Sequence, residues 1–216
     1  LMKKIDLVRS CVEAMKRSAG KIPVTVKSRI GVDDQNPDEV LPEFITKVAN
    51  SGCSVFIIHA RKALLRGLSP KDNRTIPPLQ YPLVYEMQKN FPGLDIILNG
   101  GLTELKEMKS CVKNRVAGVM IGREAYENPS ILLNVDNEIF DQKEKVRSMK
   151  DVIRNMIEYC NREKAEGTAI KGILKHLKGA FKGRANSKEF KRVLFCNETT
   201  DSEKLERLSN LVPIYC

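Results

Sequence analysis

The strongest constraint on this chain is a recurrence of short apolar runs. Val24-Thr25-Val26-Lys27, Val55-Phe56-Ile57-Ile58, Asp95-Ile96-Ile97-Leu98-Asn99 and Gly118-Val119-Met120-Ile121-Gly122 are separated by stretches of helical spacing. Strands that are apolar on both faces and alternate with helices belong to parallel β/α units, whose helices cover the sheet. Their spacing and their polar ends predict a (β/α)8 barrel, in which functional groups sit where strands finish. Four such units make half of it. The expected fold is therefore α/β: the C-terminal half of a TIM barrel over 1–141, then a small all-helical domain over 142–216.

The helical patterns agree. Leu1, Ile5, Val8, Val12 and Met15 recur at three- and four-residue spacing over 1–19. Asp33 to Pro37 reads as turns, Glu43–Asn50 as helix, and Pro82 stands in the first turn of a helix reaching about Asn90. After Asp141 the strand pattern stops, and 145–165, 169–182, 187–196 and 202–211 look helical. Between Arg61 and Pro78 there is no apolar period, only basic residues and three prolines. A loop that long in a compact domain is usually functional.

The formal charge of +10 is concentrated. From Lys171 to Arg192 eight Lys/Arg face one acid, Glu189, so this stretch carries about seven of the ten net charges. A solvated helix face is the ordinary explanation of such a run, and the concentration favours nucleic acid as a partner. Six cysteines, Cys11, Cys53, Cys111, Cys160, Cys196 and Cys216, show no metal-ligand spacing. They read as small core residues of a reducing compartment, so no metal is expected. No apolar run is long enough for a membrane span, so no membrane partner is expected either. The compartment expected is the cytosol, with an organelle as the alternative.

Each strand end carries a distinctive group. Lys27 and Arg29, and then His59 and Arg61, alternate so that each pair shares a face, and two such pairs would form a cationic pocket. Salt bridges and satisfied polar core positions are the competing explanation. Asn99-Gly100-Gly101 and Gly122-Arg123 expose backbone N–H groups between strand and helix, and Arg123 adds a fork suited to phosphate. A tight βα turn explains either glycine motif alone; the two in tandem favour a phosphate site at the last strands of a barrel.

These residues resemble a family. Ile58-His59-Ala60-Arg61-Lys62-Ala63, continued by Gly67-Leu68-Ser69-Pro70-Lys71, Asn73-Arg74 and Ile76-Pro77-Pro78-Leu79, is similar to the tRNA-dihydrouridine synthases. Val24 to Lys27 with Arg29-Ile30-Gly31, Asn99-Gly100-Gly101, Gly118 to Tyr126 and Asn128-Pro129 match in order and spacing. The likeness is strong over residues 1 to about 140 and weaker over 170–195. Within the family it is greatest to the A-type branch, which modifies D-loop uridines at tRNA positions 20 and 20a.

The resemblance implies an FMN-binding barrel followed by a helical tRNA-binding domain. NADPH reduces FMN, a flipped-out uridine receives hydride at C6, and a cysteine protonates C5. Carried over by position, Lys27 and His59 would contact the flavin ring, while Asn99, Gly100, Gly101, Gly122 and Arg123 would hold the ribityl chain and phosphate. Arg61, Lys62, Arg66, Lys71 and Arg74 would lie along the tRNA path, with Lys175, His176, Lys191 and Arg192 as backbone contacts in the helical domain. The family's catalytic cysteine stands in an Asn-x-Gly-Cys-Pro context that none of the six cysteines has, so no catalytic residue is assigned. Leu1-Met2 matches a family stretch shortly after that cysteine. The expectation is thus an N-terminally truncated chain, inactive alone and monomeric when complete. A non-catalytic RNA-binding remnant is the alternative; a small-metabolite flavin barrel ranks below it, because it leaves the basic loop and basic helices unused.

Overall fold

A computed structural model of the protein describes residues 1–114, 116–143, 146–185 and 187–211. Cys216 and the expected helix start at 145 lie outside the described residues. The chain divides into two compact units, Leu1–Ile121 and Gly122–Cys216. The change of sequence pattern places a boundary at 141/142; by compactness the division falls earlier.

The first unit runs α1 (Ile5–Ala19), β1 (Val26–Arg29), α2 (Pro37–Ala49), β2 (Val55–His59), α3 (Tyr81–Asn90), β3 (Asp95–Asn99), α4 (Leu105–Asn114) and β4 (Gly118–Met120). The four strands form one parallel sheet in the order β1-β2-β3-β4. On one face Phe56, Ile58, Ile96 and Leu98 are fully buried. Removing each such side chain from water stabilises the unit by about 1.5–3 kcal/mol. The other face presents Lys27, Ile57, His59, Ile97, Asn99 and Met120, none of which is fully buried.

Several boundaries differ from the sequence reading: α1 begins at Ile5 and β4 stops at Met120, and two further shifts have a plain cause. β1 begins at Val26 rather than Val24, because Val26 is the first residue with a partner, Phe56, on β2. α2 begins at Pro37 rather than near Glu43. The Asn36 side chain accepts the Asp38 N–H at 3.2 Å, Pro37 supplies a helical φ, and Asp38 and Glu39 complement the helix dipole.

The second unit holds α5 (Arg123–Glu127), a 3-10 segment (Pro129–Asn134), α6 (Val135–Ile139) and α7 (Met149–Ala165). It continues with α8 (Lys171–Leu174), a 3-10 turn (Lys175–Leu177), α9 (Ser187–Phe195) and α10 (Asp201–Leu211). α7 starts on a capping box in which Ser148 and Asp151 satisfy each other's backbone N–H groups. The core includes Ile153, Leu174, Phe190 and Leu208, with the Phe181 and Phe190 rings edge to face at 4.8 Å. The expected helix over 169–182 is instead α8, the 3-10 turn and further turns. Within those turns the Gly179 backbone lies so close to Glu127 that a Cβ would sit 2.4 Å from the Glu127 carbonyl oxygen, an approach only glycine permits.

Candidate active site at the strand ends

In the first unit the register lines up Arg29, His59, Asn99 and Met120 in one row across the sheet, and Lys27, Ile57, Ile97 and Gly118 in the row below. Lys27 reaches over β2 to donate from Nζ to Asn99 Oδ1 at 3.0 Å. Asn99 in turn donates from Nδ2 to the Met120 carbonyl at 2.7 Å. Three of the four strands are thereby joined by side chains. Partial burial, and secondarily the Arg29 guanidinium, lower the Lys27 pKa.

The glycines after β3 have a steric role. Gly100 has φ +114° and Gly101 φ +73°, conformations that L side chains rarely adopt. A Cβ on Gly100 would stand 2.7 Å from His59 Cδ2, and one on Gly101 would stand 2.6 Å from Leu79 Cδ1. The turn therefore seats the imidazole against backbone. Tyr81 donates its hydroxyl to the Gly100 carbonyl and holds the turn from the other side. Burial, then Glu107 and Cys111, push the Tyr81 pKa up to about 12, so the donor persists at alkaline pH.

The loop from Arg61 to Pro78 is fastened from within. Arg29 donates to the carbonyls of Lys62 (2.7 Å) and Asn73 (2.8 Å). Arg61 donates to those of Thr75 (3.2 Å) and Pro77. Burial and the guanidiniums of Arg61 and Arg74 lower the Arg29 pKa. Asn73, only 9% exposed, closes a ring with Leu64: Nδ2 donates to the Leu64 carbonyl at 2.6 Å and Oδ1 accepts its N–H at 2.7 Å. Asp33 extends the fastening, accepting the Leu65 N–H at 2.7 Å and the Lys3 ammonium at 3.0 Å.

The site residues expected from sequence thus separate by employment. Lys27, His59, Asn99, Gly100 and Gly101 come together on one sheet face. Arg29 and Arg61 have donors committed to loop carbonyls, Lys62 is half-buried, and Arg66, Lys71 and Arg74 are exposed. In the second unit Gly122 is the N-cap of α5 and Arg123 its exposed first residue. Lys175 and His176 are exposed and Lys191 is half-buried. Arg192 pairs with Glu189 at 2.6 Å. Asn73, Leu79 and Tyr81 were missed as site-builders. Asn73 and Leu79 do stand in the string that resembles the family, whereas Tyr81, the first residue of α3, carries no signal in the loop pattern.

Asn73→Ala is expected to cost about 2 kcal/mol, since it strands the Leu64 N–H and carbonyl where water is scarce. Urea denaturation measures the loss, and limited proteolysis should open the chain first between Arg61 and Pro78. A variant as resistant as the parent would show that the Asn73 ring does not hold the loop.

Among the described residues no helix is long and apolar enough to cross a membrane. No cluster of three or more His, Cys, Asp or Glu suited to a metal occurs among them. Cys53, Cys111 and Cys160 are buried, and burial raises the thiol pKa of Cys53 and Cys160.

Comparison with known proteins adds the family. The chain is 48% identical over 195 residues to a tRNA-dihydrouridine(20/20a) synthase of Escherichia coli O6:H1, covering 90% of this chain and 58% of that protein. It is 47% identical over 193 residues to the synthase of the same name from Vibrio cholerae, covering 89% of this chain and 58% of the relative. Identity to the one from Salmonella typhi is 44% over 216 residues, covering 98% of this chain and 64% of the relative. The chain therefore spans somewhat over half the length of these relatives. A solved structure titled for DNA interaction by the Salmonella typhimurium RcsB response regulator aligns at 14% identity with a TM-score of 0.26, over 88% of this chain and 98% of that one. A likeness that low carries no argument. The family described as "Dihydrouridine synthase (Dus)" matches residues 1–213, and the chain belongs to that family.

Proposed function

We propose that this chain supplies the strand-end flavin contacts and a tRNA-facing surface of an enzyme that reduces D-loop uridines at tRNA positions 20 and 20a to 5,6-dihydrouridine. The observation that carries the proposal is the Lys27–Asn99 pair beside His59, on the sheet face opposite the buried Phe56, Ile58, Ile96 and Leu98. When bound, FMN would supply a hydride to uracil C6 with NADPH as the electron source, and the C5 proton would come from the family's cysteine acid, for which no residue of this chain is assigned.

The residues present fit such a group. Lys27 uses one ammonium proton on Asn99 and keeps two for an anionic or carbonyl acceptor. Its lowered pKa marks a cation already paying for partial desolvation, which an anionic partner relieves. Gly100, lacking a Cβ, admits the His59 ring against the turn beside that pair. Asn99, Gly100 and Gly101 are proposed for the ribityl chain, and Gly122 and Arg123, on sequence alone, for the phosphate. Arg66, Lys71 and Arg74, with Lys175, His176, Lys191 and Arg192, are proposed for tRNA. Arg61, which also braces the loop through Nη1, and Lys62 are proposed for tRNA with them.

Titrating FMN with Lys27→Met should show affinity about tenfold weaker than the parent, as expected for losing a charged hydrogen-bond donor. The sign with pH follows from the lowered pKa. The parent's Lys27 charge, and the affinity it supports, is lost as pH rises through a value below that of an ordinary lysine. The Lys27→Met profile should be flat there. Equal affinities and equal profiles would remove Lys27 from the site. For the activity itself, dihydrouridine mapping in tRNA after deletion of the gene should show loss at positions 20 and 20a; an unchanged map would overturn the proposal.

A further inference from the structure

The second unit carries an aromatic pair that the flavin chemistry leaves unused. Tyr126, in α5, is 49% exposed although it is a large ring. His176, in the 3-10 turn Lys175–Leu177, is also exposed, and its ring meets Tyr126 nearly edge to face, with centroids 5.8 Å apart at 77°. The contact is built in by the backbone. A Cβ on Gly179 would fall 2.6 Å from the Glu127 carbonyl carbon and 2.7 Å from the Tyr126 carbonyl oxygen, so only glycine lets this turn approach α5 closely enough to seat His176 on Tyr126. Two rings locked together at a water-facing position retain apolar faces that nothing in the core requires.

Their surroundings identify the occupant. Lys175 and Lys178 flank His176 and are exposed. Lys182 lies 3.5 Å from Glu124 and 3.7 Å from Glu127, so its charge is already matched. The whole stretch from Lys171 to Arg192 carries eight cationic side chains against one acid. Flat apolar faces beside unmatched positive charge suit a strand that offers a π-face and a phosphate in each repeat. A base-paired helix keeps its base faces stacked inside, so the fitting ligand is an unpaired nucleotide.

We infer that Tyr126 and His176 form a stacking platform for an unpaired base of the bound RNA, with Lys175 and Lys178 on its phosphates. The inference rests on the tRNA reading above and assigns His176 to a base rather than to the backbone. Because the chain has no tryptophan, Tyr126→Trp creates a single fluorescent reporter at the platform.

The full chain carrying Tyr126→Trp is titrated with a tRNA transcript, a short uridine oligonucleotide and an abasic ribose-phosphate oligomer of the same length. Emission should be quenched by the two ligands with bases and not by the abasic one, although all three bind. In the tyrosine background, Tyr126→Ala should weaken tRNA binding about tenfold, the usual effect of removing one stacked ring. The slope of log affinity against log salt should stay unchanged. Tyr126→Phe should keep the affinity, whereas Lys178→Ala should make the slope shallower by about one. Binding without quenching, or quenching by the abasic oligomer equal to that by uridines, overturns the platform and leaves the tRNA reading standing. Failure of the parent chain to bind tRNA at all overturns both.

Discussion

Gly179→Ala is expected to lower the melting temperature by about 10 °C, as a loss of roughly 3 kcal/mol does in a chain of this size. The added Cβ would lie 2.4 Å from the Glu127 carbonyl oxygen, 2.6 Å from its carbon and 2.7 Å from the Tyr126 carbonyl oxygen. Even a favourable C–H···O contact needs about 3.3 Å. The obstructing atoms are backbone atoms at the end of α5, so no rotamer change clears them. Either the turn after the Lys175–Leu177 segment retreats, or α5 does. Each movement separates Tyr126 from His176, so RNA affinity should fall with stability. Gly172→Ala is the control: it sits in α8 with nothing within 4 Å and no positive φ, so its melting should move little, or slightly upwards. If Gly179→Ala melts with the parent, the close approach at Glu127 is not what shapes this segment.

Gly100→Ala should cost about 2–3 kcal/mol and weaken the proposed flavin site in the same stroke. Two effects add. The residue holds φ +114°, where an L side chain is strained, and its new Cβ would stand 2.7 Å from His59 Cδ2 and 2.9 Å from Nε2. Expelling the imidazole removes it from the row it shares with Arg29 and Asn99. FMN affinity should therefore drop at least as far as in Lys27→Met. A double-mutant cycle separates the two effects. His59→Ala removes the obstructing ring, so Gly100→Ala should cost less in that background, where the φ strain and the 3.2 Å approach to Leu79 Cδ2 remain. Fully additive costs would show that His59 does not require the glycine.

Much of the sheet was legible before any coordinates. β2, β3 and β4 start on the residues where their apolar runs begin, and α3 contains Pro82 in its first turn, as its spacing predicts. These elements declare themselves because burial is periodic: a strand between two layers must be apolar continuously, and a helix on a sheet must be apolar on one side. β1 was misplaced by two residues because Val24 and Thr25 are good strand formers without a paired neighbour. Pairing is a property of two segments, and β-propensity describes one. The 169–182 segment differs too: its helical spacing is real, and its turn at Gly179 packs against a backbone more than fifty positions away, at Glu127.

The chemistry divides the same way. Residue type and order alone identified the cationic and glycine-rich strand ends, the basic stretch from Lys171 to Arg192 and the family, since these are properties of composition and local spacing. Which donors are engaged inside the fold was decided by packing. Arg29 and Arg61 look like anion ligands in sequence, yet each also turns Nη1 to carbonyls of the loop it braces. Lys27 acquires its partner 72 positions away, at Asn99. Apolar periodicity acts through neighbours along the chain and so is written along it. A directed donor takes whichever acceptor folding brings within about 3 Å, and that acceptor exists at that place only once the sheet has formed.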